Sequence, residues 1–346
     1  MDPQNVKETT NTEHKQQIRA GALQGPLSLL LSENSGELQW LRQELKGMPN
    51  PKFAETLIQC DEYLDGFARM EFLAEQPYLI MRAALAQDLG TIGLFGKAIV
   101  HAETLWDGML AIQDGMRYVQ SSSEIHYRLR HGRVRVTYSH RLGNGREAVP
   151  DIQYTIALFC NLLREAKWSS QSDLIIGYPE AKPAHLALFP EALMVKNAPC
   201  GFLDFNDNML RSPLSRTDPL WSAISSSVLM KFDADAPEDP TTCEMVKEIQ
   251  AASLRHNQSP IKMLRVAELL GLPARTMQAY LNAEGSSFAE VRNDTLHREA
   301  QRELLAGRSI SETSEMLGFT HRQSFSEAFS KWEGCAPSIF ASRGHL

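Results

Sequence analysis

Two short stretches decide the fold: Val266-Ala267-Glu268-Leu269-Leu270-Gly271-Leu272 and Ser314-Glu315-Met316-Leu317-Gly318-Phe319. Each sets a small residue (Ala267, Ser314) before an apolar ridge and then a glycine. The small residue lets two helix backbones approach, and glycine takes the left-handed conformation that ends a helix. Beyond each glycine an apolar pair recurs at i and i+4, Met277 with Leu281 and Phe325 with Phe329, so both members share one helix face. This is the pattern of two helices crossing around a short turn, written twice. The glycines are 47 positions apart, and the second copy reaches its apolar pair one residue later than the first. A single match would also describe an ordinary helix hairpin; two in register are more specific.

Working outward, apolar residues at helical spacing predict helices over 243–256, 261–270, 274–282, 288–305, 310–317 and 323–332, with a last turn after Pro337. No strand pattern interrupts them. The expectation is an all-α domain over 243–346 in which the long helix 288–305 joins two halves. The i, i+4, i+7 spacing of Phe325, Phe329 and Trp332 makes these aromatics core rather than a stacking platform. Upstream, Phe232-Asp-Ala-Asp-Ala-Pro-Glu-Asp-Pro-Thr-Thr242 is acidic, bears prolines and has no apolar period, so 233–242 reads as a linker.

The duplicated motif, followed by Ser324-Phe-Ser-Glu-Ala-Phe-Ser-Lys-Trp-Glu-Gly-Cys-Ala-Pro-Ser338, resembles the C-terminal domain of the AraC/XylS family of bacterial regulators over 241–344. The longer second turn is also that family's. More loosely, Phe189, the run Ala198-Pro-Cys-Gly-Phe-Leu-Asp-Phe205 and Asp218-Pro-Leu220 resemble the end of the arabinose-binding-type N-terminal domain of ornithine- and arginine-responsive and virulence regulators. That label names a domain type and does not identify a ligand. The resemblance implies a cytoplasmic transcription regulator, an activator, with double-stranded DNA and RNA polymerase as partners. It also implies a small-molecule effector and a homodimer formed through the N-terminal domain. Matched to the family's recognition helices, the outward side chains are Arg275, Thr276, Gln278, Ala279 and Asn282 in the first, and His321, Arg322, Gln323, Ser326 and Glu327 in the second. Arginine suits guanine, glutamine suits adenine, and serine can serve either. The family often has arginine where this chain has Ala279 and Glu327, and neither of these neutralises phosphate.

Composition bounds the alternatives. The chain has 346 residues, 43% hydrophobic and 22% charged, with a net charge of −7, which suits a globular protein with two cores of unequal size. No run of apolar residues is long enough for a membrane span, and the polar N-terminus lacks the apolar stretch of a secretory signal. From Thr241 to Leu346 twelve Lys and Arg balance twelve Asp and Glu, which is low for a protein that binds phosphate. That neutrality keeps open a second reading, a ligand-independent regulator that acts mainly through protein contacts. Cys60, Cys160, Cys200, Cys243 and Cys335 are scattered without a CxxC pair, which argues against disulfides and a zinc site.

Residues 19–232 read as an α+β domain after an unstructured 1–18. Helical spacing covers 53–73, 105–119 and 155–168, with a glycine-bearing break at 91–96. Alternation over 126–138 reads as strands closed by a tight turn at Asn144-Gly145, and 187–205 reads as strand, turn, strand. No catalytic constellation, metal set or cofactor motif stands out, and the chain reads as a non-enzyme. His101, His126 and His185 are isolated, Cys200 reads as a structural thiol, and Gly93 and Gly96 match no nucleotide-binding pattern. The basic series Arg128, Arg130, Arg133, Arg135, with Arg141 and Arg146, reads first as an outward polar face. Arg133 and Arg135 are the candidates for an anion-binding patch that takes a carboxylate effector.

Overall fold

The computed structural model describes residues 17–19, 57–60, 63–67, 78–120, 122–140, 148–166, 173–231, 240–257 and 259–343. Most of the expected linker, all of Arg141 to Asn144-Gly145-Arg146 and most of 1–18 lie outside them. Strand pairing nevertheless already includes Gln17 and Ile18, inside the stretch expected to be unstructured: β1 (Gln17–Arg19) pairs antiparallel with β2 (Leu57–Gln59). The expectation of a helix over 53–73 is therefore corrected at Leu57 and Ile58. The chain is helical at 63–67, where Tyr63, Leu64 and Phe67 are buried.

The N-terminal part is built on a five-stranded mixed sheet in the order β3-β4-β7-β5-β6. β3 (Ser123–Arg130) and β4 (Arg133–His140) form an antiparallel hairpin, with Val134, Val136, Tyr138 and His140 alternating into the core. Their turn is His131-Gly132, at φ 52° and 73°, and not Asn144-Gly145. Two successive left-handed residues match the twist of the flanking strands. β5 (Leu174–Tyr178) has no counterpart in the sequence reading. It lies between β6 (Ala192–Asn197) and β7 (Gly201–Asn206), parallel to the first and antiparallel to the second. The strand, turn, strand reading of 187–205 matches β6 and β7, which β5 separates in the sheet. Periodicity identifies a strand and is blind to which neighbour fills its ladder.

Helices cover this sheet. α1 (Leu79–Ala86), α2 (Gly93–Val100) and α3 (Leu105–Val119) precede it. α3 starts at a capping box in which the Asp107 N–H donates to Thr104 Oγ1 (3.2 Å) and the Thr104 N–H donates to Asp107 Oδ2 (3.1 Å). α4 (Val149–Glu165), with Pro150 in its first turn, packs on β4, β5 and β7, and its far side meets α1. α5 (Pro219–Leu229) follows the sheet, packs on α2 and leads to the C-terminal part.

That part contains seven helices among the described residues: α6 (Thr242–Asn257), α7 (Met263–Leu269), α8 (Ala274–Ala283), α9 (Phe288–Leu305), α10 (Ile310–Met316), α11 (Arg322–Glu333) and α12 (Pro337–Arg343). The core does not divide as two domains would. Met245, Val246, Ile249, Val266, Leu270, Met277 and Leu281 belong to the same buried apolar cluster as the N-terminal helices and sheet. A separate cluster of Leu296, Ala300, Leu304, Met316, Leu317, Phe325 and Phe329 joins the last helices, with Leu254 added from α6. Among the described residues the boundary between the two buried clusters runs through the helical part. α5 packs along α6, and Arg265 of α7 stacks its guanidinium over the Trp221 ring, 4.5 Å from the centroid.

Candidate nucleic-acid interface

Each helix-turn-helix is a short helix, a glycine turn and a longer helix. α7 ends where Gly271 turns to φ 65°; the Leu272 N–H then donates to the Ala267 carbonyl (2.9 Å) and the Gly271 N–H to that of Glu268 (3.1 Å). α10 ends in the same way at Gly318, φ 77°, with the Phe319 N–H donating to the Ser314 carbonyl (3.0 Å) and the Gly318 N–H to that of Glu315 (2.9 Å). Both closures satisfy the last carbonyls of the helix and need a left-handed residue at the same place. Ala267 and Ser314 are buried, as a helix crossing requires. The second helix of the first unit follows an N-cap at Pro273, and that of the second an N-cap at His321, so the second turn is one residue longer.

The inward faces of α8 and α11 are Met277 with Leu281 and Phe325 with Phe329, all fully buried. The opposite faces carry the residues expected to read DNA. Arg275, Gln278, Ala279 and Asn282 are exposed on α8 with Thr276 half-buried; His321, Arg322, Gln323 and Glu327 are exposed around α11 with Ser326 half-buried. α9, capped by Ser287 and Glu290, has 18 residues, a rod of about 27 Å at 1.5 Å per residue. Its Val291 sits in the larger core and its Leu296, Ala300 and Leu304 in the smaller, so one helix holds both units.

The even charge balance of this part is not evenly distributed. Lys247 and Arg298 pair with Asp294, Arg265 with Glu268, and Arg302 and Arg308 with Glu303. Those two arginines hold the buried Glu303 carboxyl below its usual range, against the upward push of burial. Among the described residues Arg275 and Arg322 have no such carboxylate partner, so their charge faces outward uncompensated. Glu327 acts in the opposite sense: its Oε1 accepts from Gln323 Nε2 at 3.0 Å and occupies part of a candidate reader.

In the N-terminal part, Arg133 and Arg135 are already answered by the protein itself. Arg133 donates through Nε to Asp204 Oδ1 and through Nη1 to Asp173, and Arg135 donates to Asp204 Oδ2 through Nε (2.8 Å) and Nη2 (2.6 Å). Burial raises the Asp204 carboxyl, but the two guanidiniums lower it more. The clue in the sequence was Asp204 itself, an acid in a strand of aromatic and aliphatic residues, which the ladder places opposite Arg135. His185 is buried, its Nδ1 2.8 Å from Tyr178 Oη, and His101 Nδ1 lies 2.8 Å from the Arg216 carbonyl. Cys60 and Cys160 are buried and the other three thiols half-buried. Burial pushes Cys160 up to about 12 and raises Cys200, so neither is a ready nucleophile. No group of three potential metal ligands occurs among the described residues, and no described helix is long and apolar enough to cross a membrane.

A family model described as a helix-turn-helix domain matches residues 266–343. The C-terminal helices form an AraC-type helix-turn-helix domain. Relatives of this AraC-type domain include uncharacterized HTH-type transcriptional regulators of Mycobacterium tuberculosis and Mycobacterium bovis, each 36% identical over 81 residues. Those residues are 23% of this chain and 23% of each relative, so the chain spans about a quarter of their length. Among solved structures, the transcriptional regulator CdpR from Pseudomonas aeruginosa is similar with a TM-score of 0.40 and 17% identity, over 83% of this chain and 99% of that one. A DNA-binding transcriptional dual regulator from Escherichia coli K-12 aligns over 32% of this chain and 96% of its own, with a TM-score of 0.29 and 18% identity.

Proposed function

We propose that this chain is a transcription regulator that binds double-stranded DNA sequence-specifically through α8 and α11, each entering one of two successive major-groove segments. The observation that carries the reading is the duplicated unit on one rigid helix, with Arg275 and Arg322 exposed and uncompensated on the two outward faces. One continuous helix between the units fixes their relative placement, as reading two major-groove segments about 34 Å apart on one face of B-DNA requires. The site is then a direct, non-palindromic pair of short boxes about 10 base pairs apart. The readers are Arg275, Thr276, Gln278 and Asn282 for one box and His321, Arg322, Gln323 and Ser326 for the other. Residues 19–232 act as the sensing and dimerising domain and 233–242 as the linker. RNA polymerase contact by the DNA-bound protein is the route to activation.

Footprinting of the full chain on fragments selected from random DNA tests this. Two protected boxes on one face, with affinity falling steeply as salt rises, are expected. A single box, or binding indifferent to salt, overturns the two-box reading. The even charge balance of 241–346 favours one alternative, a regulator that works mainly by protein contact, and flat salt dependence is the outcome that would support it.

A further inference from the structure

Resting on the reading of the N-terminal part as a sensor, we infer that its ligand is a short-chain amine bound in the cavity between α2, α3 and α4, with the ammonium on Asp151. The cavity has about 60 Å³ of free space. Its walls are apolar, with Phe95 and Ile99 from α2, Ile112 and Met116 from α3, and Leu158 and Leu162 from α4. Among the described residues that line it, Asp151 carries a carboxyl group. Asp151, in the first turn of α4, is buried; its Oδ1 accepts from Tyr63 Oη (2.8 Å) and its Oδ2 from Tyr138 Oη (2.7 Å). A carboxylate has about four acceptor positions, so the two tyrosines leave capacity.

Among the described residues no lysine or arginine is paired with this carboxylate. No lysine or arginine is among the described residues that line the cavity. The buried His140 lies close by, its Nε2 3.6 Å from Asp151 Oδ2. That nitrogen is 2.8 Å from Gln120 Nε2, an amide that can only donate, so the imidazole is neutral there with its proton on Nδ1. Burial also lowers the His140 basicity and raises that of Asp151. The carboxyl is hydrogen-bonded by neutral tyrosine donors, and among the described residues no lysine or arginine balances its charge, so a ligand that brings a positive charge to it and hydrocarbon to the apolar walls supplies what both lack. Size restricts the hydrocarbon. A dry cavity of about 150 Å³ holds a benzene ring, so this one fits an amine of one or two carbons and no ring.

The cavity is also placed to be read. α2 gives Phe95 and Ile99 to its wall, packs on α5 and contributes Lys97 to the cleft where Arg265 and Leu269 of α7 meet the N-terminal part. Occupancy therefore bears on the helix that seats the first helix-turn-helix unit.

The full chain with isoleucine methyl labels, titrated with methylamine, methanol and formate, tests the assignment. The expected result is that methylamine shifts the methyls of Ile92, Ile99 and Ile112 and raises Tm, that methanol does so at least tenfold more weakly, and that formate does neither. Asp151→Asn, checked for an intact circular dichroism spectrum, should abolish the preference for amine over alcohol. Unmoved methyls in the wild-type chain, or formate binding as well as the amine, overturn the site. DNA footprints run in parallel separate this from the broader reading. Amine binding with an unchanged footprint keeps the site and overturns its sensory role; an intact footprint without amine binding keeps the regulator and overturns the site.

Discussion

At the scale of single residues, Arg275 and Arg322 have no carboxylate partner among the described residues, in contrast to Lys247, Arg265, Arg298, Arg302 and Arg308. Arg275→Ala and Arg322→Ala should each cost about 1–3 kcal/mol in DNA binding and relax preference at separate base positions. Selection of preferred sites with each variant checks this; two variants that relax the same position would mean that only one helix reads bases. Ala279→Arg and Glu327→Gln should raise affinity across many sequences, the first by adding a phosphate contact and the second by removing a repelling charge and freeing Gln323. Two buried acids set opposite pH signs. The Asp204 carboxyl is lowered by Arg133 and Arg135, so its share of stability is present above the unfolded value of about 3.9 and is lost as pH falls through the folded one. Asp151 is raised by burial, so its share is present below about 3.9 and is lost as pH rises toward its folded value. Asp204→Asn should flatten the acid limb of a stability–pH curve, whereas Asp151→Asn should flatten the part above pH 4. Urea midpoints across pH 3 to 8 report both.

At the scale of elements, the two glycine turns look alike in sequence and differ in what surrounds them. Nothing lies within 4 Å of where a Cβ on Gly271 would sit, while one on Gly318 would meet Pro260 Cδ at 2.7 Å. Gly271→Ala should therefore cost only the left-handed strain, about 1–2 kcal/mol, and Gly318→Ala distinctly more. Equal urea midpoints for the two variants would count against the close approach of the 259–261 segment to the second turn. That segment is held by α6: Gln250 Nε2 donates to the Ile261 carbonyl at 2.8 Å and Ser253 Oγ to that of Ser259 at 2.8 Å. The N-terminus of α6 is in turn capped from α8's end, where the Glu284 carboxylate accepts from the Thr242 and Cys243 N–H groups at 3.0 and 2.8 Å. The first unit is thus tied together by polar groups as well as by its share of the larger core.

At the scale of the whole molecule, the division of that core predicts how the chain comes apart. If cleavage near 232–239 freed a helical fragment, its α6 and α7 would expose the faces now covered by α5 and α2, whereas α9 to α12 would keep their own aromatic cluster. Amides of α6–α8 should then exchange with solvent markedly faster in the fragment than in the full chain, with those of α10 and α11 little changed. Hydrogen exchange by mass spectrometry reads this directly, and uniform protection in the fragment would mean that the first unit does not lean on the N-terminal part. The sequence by itself determined the helical domain nearly helix by helix, including the limits of α9, because capping residues, turn glycines and i, i+4 apolar pairs are local signals that act within a few residues. It also determined which faces of α8 and α11 point outward, since burial of Met277, Leu281, Phe325 and Phe329 leaves no choice for the rest. Tertiary structure alone decided the insertion of β5 between β6 and β7, the pairing of Arg133 and Arg135 with Asp204, and the seating of the first unit on α5. Each of these joins residues far apart in the chain, and an apolar or charged face read from sequence declares that it needs a partner without naming which one will cover it.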